Sequence, residues 1–184
     1  MKELSKKTVR FTESVIREMT RVSIEHGAIN LSQGYPNFDP PEALMKSLSK
    51  AAFAGPHQYP ITYGAINFRE AIAKKHEHFT GVKVDPLTEI CVTCGSTEAM
   101  MCSVMGICNP GDKVIAFSPF YESYEADAIM SGSEIEYIAL VPPEFKFDKV
   151  QLEKAMADPK AKALILCNPS NPCGKVFTRE ELET

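Results

Sequence analysis

Long hydrophobic runs are absent from this sequence of 184 residues. No stretch approaches the roughly 20 apolar residues that a helix needs to span a bilayer, so no membrane-spanning helix is predicted. The opening residues 1–7 are charged and lack the apolar segment of a secretory signal. A strong excess of one charge is absent too, since the formal net charge is -4 and basic residues are scattered among acidic ones. We therefore expect a cytoplasmic protein and have no electrostatic reason to expect a nucleic-acid or membrane partner.

The cysteines do not form the pattern of a disulfide or metal framework. The six cysteines lie mostly inside apolar runs, in a chain too large to depend on disulfide bonds. Cys91 and Cys94 form a C-x-x-C pair, but no second pair with zinc-ligand spacing follows. On a predicted strand at 90–94, their odd spacing points the two side chains to opposite faces. We interpret the cysteines as reduced thiols and predict no metal site.

What the sequence does contain is a change of hydrophobic pattern near residue 89. Before it, apolar residues recur at helical spacing over 11–26, 42–53 and 68–79. After it, short segments rich in Ile, Val and Leu alternate with helical stretches. The predicted strands are 90–94, 113–117, 135–140 and 163–167, and the predicted helices lie near 97–108, 121–131 and 148–157. This alternation favours an α/β fold, in which helices cover both faces of a mostly parallel sheet.

The end of the chain indicates a fragment. Thr178 and Glu181 have the spacing of a capping box, which predicts the start of a helix. The sequence stops two residues after Leu182, within the first turns of that helix, where a natural domain rarely stops. We expect residues 1–45 to be an N-terminal helical segment of a small domain. Residues 46–184 are then the first part of a larger, truncated domain whose sheet is incomplete.

Three loops follow predicted strands, at the sheet edge where ligands bind in open α/β folds. The first contains Gly95, Ser96 and Thr97 and leads into a helix. Its hydroxyl and backbone N–H groups at a helix start suit a phosphate group. The alternative is that Ser96 or Thr97 is an ordinary N-cap. The spacing matches neither a Walker motif nor a dinucleotide-binding motif.

The second loop is aromatic and spans Ser118–Tyr124. Aromatic rings at a strand end can stack on a planar cofactor. The alternative is that Phe120 and Tyr124 simply pack into the core.

The third loop, Asn168–Gly174, contains two Asn-Pro pairs. Proline restricts its own φ angle and the residue before it, so the loop is rigid and extended. A rigid loop can hold an asparagine amide towards a ring oxygen. A plain turn is the alternative, although a turn rarely needs two such pairs.

A phosphate site, an aromatic plate and an oriented amide together suit pyridoxal 5'-phosphate, and the chain resembles the class I/II aminotransferases of fold type I. The resemblance extends over essentially the whole chain, with the most specific motifs in the family's order. They are Ile29–Pro36 followed by Asn37 and Phe38, Gln58–Gly64, Val92–Ala99 and Asn168–Lys175. Within the family the chain is most similar to the branch that holds kynurenine–glutamine, methionine and some prokaryotic aspartate aminotransferases.

The resemblance implies a role for each matching position in cofactor binding. Ser96 and Thr97 match the phosphate-binding turn. Tyr121 matches the aromatic residue that stacks on the pyridine ring, and Asn171 matches the asparagine that hydrogen-bonds the ring's phenolic oxygen. Tyr59 resembles the tyrosine that reaches the cofactor phosphate of the neighbouring subunit, which implies a homodimer for the full-length protein.

The resemblance also implies two substrate-binding positions. Gly34 lies where the family's backbone contacts the substrate carboxylate. Ile16 stands where some relatives have a substrate-contacting aromatic, so the aliphatic residue implies a different pocket. Cys173 replaces the commoner threonine of the Asn-Pro motif. No role follows for His57.

The family's Schiff-base lysine, its carboxylate partner for the pyridine nitrogen and its carboxylate-binding arginine all lie later in a chain about twice as long. No motif here matches them, and Lys175 is not in the lysine's context. In the family, the strand predicted at 90–94 lies beside the last strand in sequence, which would leave its backbone groups unpaired here. We therefore predict that the isolated chain shows neither a cooperative thermal transition nor a cofactor absorbance band.

The resemblance implies transfer of an amino group between an amino acid and a 2-oxo acid, and two alternatives stay open. The first is a pyridoxal-phosphate-dependent carbon–sulfur β-lyase of the same fold, which would release ammonia and pyruvate from cystathionine. The second is a non-catalytic regulator with an aminotransferase-like domain. Such regulators carry a basic helix-turn-helix domain ahead of this region, whereas the helical pattern here begins within about ten residues.

Overall fold

A computed structural model describes residues 3–184 and divides into two compact units. The helical unit comprises Glu13–Thr93. The sheet unit comprises the residues up to Thr12 together with Cys94–Thr184. The predicted division at residues 45 and 46 remains a prediction. No helix within residues 3–184 is long and apolar enough to cross a membrane.

The helical unit contains three α-helices, which are α1 (Val15–Glu25), α2 (Glu42–Ala54) and α3 (Ile66–Thr80). The Ser14 hydroxyl caps α1 by accepting a hydrogen bond from Arg17 N at 3.4 Å. Gly81 ends α3 in the left-handed conformation, which glycine adopts without steric cost. All three helices were predicted, although α1 begins four residues later than expected. The segment before it forms a 3-10 helix over Lys6–Arg10.

The sheet unit alternates strands and helices along the chain. Its elements are α4 (Gly95–Ile107), β1 (Lys113–Ser118), α5 (Ser123–Ser131), β2 (Glu134–Ala139), α6 (Lys149–Met156), β3 (Ala161–Ile165) and α7 (Arg179–Leu182). The strand order is β2-β1-β3, and both pairings with β1 are parallel. The predicted α/β fold with a parallel sheet is confirmed. The capping box of Thr178 and Glu181 is also present at α7.

The core lies on both faces of the sheet because β1 is buried on both sides. Ile115 and Phe117 pack on one face with Ile138 of β2 and Leu152 of α6. Residues of the opposite parity in β1 pack on the other face with α4. That second cluster comprises Val104, Cys108, Val114, Ala116 and Ile165. A strand covered on both faces explains the continuous apolar run that predicted it.

The predicted strand at 90–94 is wrong. No strand within residues 3–184 lies alongside it, so it makes no ladder, and a β-strand requires a lateral partner. Its backbone makes other hydrogen bonds instead, among them one from Val92 N to Tyr63 O at 3.0 Å and one from Cys94 N to the Glu98 carboxylate. The argument that placed Cys91 and Cys94 on opposite strand faces falls with it, and both side chains are exposed. In the described part of the chain, no cluster of His, Cys, Asp or Glu could hold a metal ion.

Candidate cofactor site

The three loops that the sequence analysis predicted to bind a ligand lie at the carboxyl edge of the sheet. Helix α4 has 13 residues and is therefore about 20 Å long. A tight turn follows it, in which Asp112 N donates to Asn109 O at 3.0 Å, and β1 then runs back along the helix. With six residues, β1 is also about 20 Å long, so the start of α4 lies near the carboxyl end of β1.

The first turn of α4 presents Ser96 and Thr97, both exposed. Gly95 has φ +79°, a left-handed conformation that lets the backbone turn sharply into the helix. The N-cap is Cys94, and its side chain makes no capping bond. The interpretation of Ser96 or Thr97 as an ordinary N-cap is therefore wrong. A helix start with exposed hydroxyls is suited to bind an anion.

The aromatic loop after β1 contains three half-buried rings, those of Phe120, Tyr121 and Tyr124. Phe120 stacks on Tyr137 with ring centroids 4.8 Å apart, and Tyr124 packs against the α4 side of the core. The core-packing interpretation therefore holds for Tyr124, whereas Phe120 is half-buried and packs on Tyr137 outside the two core clusters. Tyr121 is half-buried and meets Tyr124 edge-on at 6.0 Å.

Tyr124 joins the loops that follow β1 and β3. Burial, together with a side-chain hydrogen bond with Cys167, raises the pKa of Tyr124 to about 12. Cys167 belongs to the segment after β3, and its thiol also donates to Pro169 O at 3.3 Å. Tyr121 and the start of the Asn-Pro loop are thus both tied to one phenol.

The Asn-Pro loop is closed by its own hydrogen bonds. The side-chain oxygen of Asn168 accepts from Phe177 N at 3.1 Å. Inside that closure, Ser170 N donates to Lys175 O at 2.8 Å. Asn171 lies within this hydrogen-bonded turn and is exposed. These bonds hold the loop, and residues 171–173 form a turn, so the turn given as the alternative is present and the extended course predicted from the two Asn-Pro pairs is wrong.

Ser96, Thr97, Tyr121 and Asn171 all lie in the sheet unit, at the carboxyl edge of its strands. The other three predicted site residues belong to the helical unit. Tyr59 is 98% exposed in its loop, and Gly34 lies in an irregular, exposed segment. Ile16 is half-buried in the first turn of α1. The binding roles of all seven residues remain predictions.

Comparison with known proteins decides the family. Residues 26–184 match the family model for aminotransferases of class I and II. The chain belongs to this family.

Several named aminotransferases match this chain over most of its length. A probable N-succinyldiaminopimelate aminotransferase of Mycobacterium tuberculosis is 37% identical over 94% of this chain and 44% of its own length. Methionine aminotransferase of Escherichia coli is 35% identical over 91% of this chain and 43% of its own length. Kynurenine–oxoglutarate transaminase of Dictyostelium discoideum is 33% identical over 97% of this chain and 45% of its own length. The chain thus spans less than half the length of these relatives.

A solved structure gives the same result for the fold. The structure of YbdL from Escherichia coli, described as having a methionine aminotransferase function, superposes with a TM-score of 0.90 at 33% identity. The match covers 100% of this chain and 48% of the YbdL chain. The predicted fold, the N-terminal half of a fold-type-I aminotransferase, is confirmed.

Two buried charged residues of the aminotransferase chain were missed by the sequence analysis. Asp127 of α5 is 1% exposed, and its Oδ2 atom has no hydrogen-bond partner among residues 3–184. Burial raises the pKa of this carboxyl. The apolar neighbours Ala126, Ala128 and Ile129 were a signal that the position faces the core. Arg69 of α3 is likewise 1% exposed, and no simple pattern marked it.

Proposed function

We propose that the complete protein containing this chain is a pyridoxal-phosphate-dependent aminotransferase. It transfers an amino group between an amino acid and a 2-oxo acid. The single observation that carries the proposal is the sheet edge described above. At this edge the start of α4 carries two exposed hydroxyls. A half-buried tyrosine follows β1, and a rigid asparagine loop follows β3.

The residues present fit pyridoxal phosphate in three respects. Ser96 and Thr97, with the start of α4, suit its dianionic phosphate. Tyr121 offers a ring face of the size of a pyridine ring. Asn171 offers amide N–H donors for an oxygen on that ring. When bound, the cofactor supplies an electron sink for the substrate's α-carbon.

The chain's own contribution to the reaction is binding and orientation. The closed Asn-Pro loop restrains the backbone that carries Asn171, so that ordering this segment costs little conformational entropy when the cofactor arrives. Tyr121 covers one face of the ring and excludes water from it. Because its edge is packed against Tyr124, the Tyr121 ring has less freedom to turn away.

The helical unit supplies the remaining proposed contacts. Tyr59 reaches the cofactor phosphate of a second subunit, so the complete protein is a homodimer. The exposed position of Tyr59 supports a partner outside its own unit. Gly34 binds the substrate carboxylate through its backbone, and Ile16 lines the side-chain pocket. The names of the relatives support an amino-acid substrate, and the free state of all six cysteines supports a cytoplasmic location.

The test of this function is cofactor titration of the complete protein and its Asn171→Ala variant. We expect pyridoxal phosphate to give the wild type a visible absorbance band, together with amino-group transfer from amino acids to 2-oxo acids. Removing the Asn171 amide should weaken cofactor binding about tenfold and shift the band, because one hydrogen bond to the ring is lost. Lyase activity, seen as ammonia and pyruvate released from cystathionine, would favour the carbon–sulfur lyase instead.

The matched control is Asn109→Ala. Asn109 is exposed in the same unit but lies in the turn before β1, at the opposite end of the sheet. Its loss should leave both the affinity and the absorbance band unchanged. Equal affinities for the wild type and Asn171→Ala would contradict the proposed role of Asn171.

A further inference from the structure

Arg69 is a fully buried arginine whose hydrogen bonds all go to backbone carbonyl oxygens. Its Nε atom donates to Gly64 O at 3.1 Å, and its Nη1 atom donates to Pro86 O at 2.8 Å and Leu87 O at 3.2 Å. Within residues 3–184 it has no carboxylate within ion-pair distance. A buried guanidinium is costly unless its donors are satisfied, so a position that keeps one here has a specific use for its geometry.

One end of Arg69 holds the turn Ile61–Gly64. Gly64 N donates to Ile61 O at 2.8 Å, and Tyr63 O accepts from Val92 N at 3.0 Å. The approach of Val92 is so close that a Cβ at Gly64 would lie 2.6 Å from Val92 Cγ2. Together with the bond from Arg69 to Gly64 O, these contacts fix the turn from two sides.

The other end of Arg69 rests on a second rigid turn, Asp85–Glu89. Asp85 accepts from Leu87 N at 2.8 Å and from the Thr88 hydroxyl at 2.8 Å. Glu89 N donates to Asp85 O at 2.9 Å. The chain then runs from Glu89 back to Val92 and to the first turn. Hydrogen bonds from Arg69 therefore link the two turns, which the chain also connects through Glu89 and Val92. The two turns and this connection form a closed ring.

Tyr59 is joined to this ring through the main chain, and its side chain is exposed. Its side chain is 98% exposed, and only Pro60, with its fixed φ angle, separates it from Ile61. We propose that Arg69 is a positioning residue for Tyr59: by tying the turn Ile61–Gly64 to the turn Asp85–Glu89, it aims the Tyr59 hydroxyl at its phosphate. This inference rests on the phosphate role proposed for Tyr59 above.

The test measures pyridoxal phosphate affinity of the complete protein with Arg69→Lys. Lysine keeps the charge but offers one compact ammonium in place of a planar fork, so it cannot bond both turns. We expect the dissociation constant to rise about tenfold, as for Tyr59→Phe, because the same phosphate contact is lost. Adding Arg69→Lys to Tyr59→Phe should then change the constant less than about twofold, because the two residues act through one contact.

The matched control is Arg179→Lys, at an ion pair in the sheet unit whose arginine side chain is 91% exposed. It should leave the affinity unchanged. Unchanged affinity in Arg69→Lys would overturn the inference, and so would fully additive effects with Tyr59→Phe or no effect of Tyr59→Phe alone. A wild type that binds no pyridoxal phosphate would instead refute the proposed function itself.

A second variant, Gly64→Ala, perturbs the same ring while Arg69 itself is kept. The added methyl group must push the turn away from Val92, so affinity should again fall about tenfold and again not add to Tyr59→Phe. Folding of each variant is checked by its thermal unfolding transition. If neither Arg69→Lys nor Gly64→Ala yields folded protein, Arg69 is a folding residue and the positioning role is overturned.

Discussion

The two units of this chain bury different kinds of side chain. All buried hydrophobic side chains in residues 3–184 belong to the sheet unit, where Val114 and Ile138 are 0% exposed. In the helical unit the described buried residues are Ser23 and Arg69, both polar. Leu48 of α2, by contrast, is 72% exposed. The sheet unit therefore has an apolar core of its own, whereas the helical unit buries no hydrophobic side chain among residues 3–184.

The difference shows that helical periodicity predicts which face of a helix is apolar but does not predict what packs against that face. Helix α2 was predicted correctly from its apolar spacing, yet none of its residues is buried in the single chain. The strands of the sheet unit, in contrast, find their partners within the chain.

The largest test of the comparison is a pair of truncations, Ile115→Ala in β1 and Leu48→Ala in α2. Ile115 is 1% exposed, so its truncation should lower the free energy of unfolding by about 3 kcal/mol. The same change at Leu48 should cost less than about 0.5 kcal/mol. Chemical denaturation of the complete protein measures both. A large cost at Leu48 would break the comparison and show that α2 is covered there.

A smaller effect is expected from the buried ion pair of the sheet unit. Lys175 Nζ lies 2.8 Å from Glu181 Oε1, with side chains 7% and 16% exposed. Lys175→Met leaves Glu181 without its cation and should cost about 2 kcal/mol at pH 7. The more exposed pair of Lys149 and Glu180 provides the control, since Lys149→Met should cost almost nothing. Equal losses of unfolding free energy in the two variants would show that burial does not determine how much each ion pair stabilises the protein.

This pair also predicts a pH dependence. The hydrogen bond from Lys175 holds the pKa of Glu181 below its usual range. A carboxyl with a lowered folded pKa stabilises the protein above its unfolded pKa of about 4.3, and the contribution is lost as the pH falls through the folded value. The stability difference between the wild type and Lys175→Met should therefore shrink below that pH in an acid titration of unfolding.

The smallest expected effect concerns Asp127, the buried carboxyl with an unpartnered oxygen. Because burial raises its pKa, Asp127 contributes stability at low pH that is lost as the pH rises through the folded value. Asp127→Asn removes this titration and should stabilise the protein by about 1 kcal/mol at pH 8. Asp39→Asn, in an exposed loop, is the control. A less stable Asp127→Asn protein at pH 8 would mean that the carboxylate has a partner in the complete protein.

The sequence predicted most of the sheet unit because its signals are local. Strong apolar runs marked β1, β2 and β3, and the spacing of Thr178 and Glu181 marked α7. Both signals depend on neighbours within a few residues, so they can be recognised without knowledge of the tertiary structure. The segment 90–94 has the same apolar composition but forms no strand, because strand formation depends on a pairing partner that composition does not reveal.

The candidate site was predicted through its loops, and the parts that sequence missed are long-range. Ser96, Tyr121 and Asn171 each follow a recognisable segment boundary, and the fold brings them to one edge of the sheet. Arg69, in contrast, bonds Pro86 and Leu87, which lie 17 and 18 residues away in sequence. Such contacts leave no periodic trace, since an arginine on a helix ordinarily indicates a solvated face.

The closed Asn-Pro loop has a consequence for chemical labelling. Lys175 sits on a surface loop, yet its ammonium is enclosed between Glu181 and the ring of Phe177, which lies 5.1 Å away. An amine that is held and shielded in this way acylates slowly, whereas Lys46, with a side chain 73% exposed, should react readily. Mass-spectrometric footprinting with an acetylating reagent would therefore report, at a single lysine, whether the loop that carries Asn171 is closed.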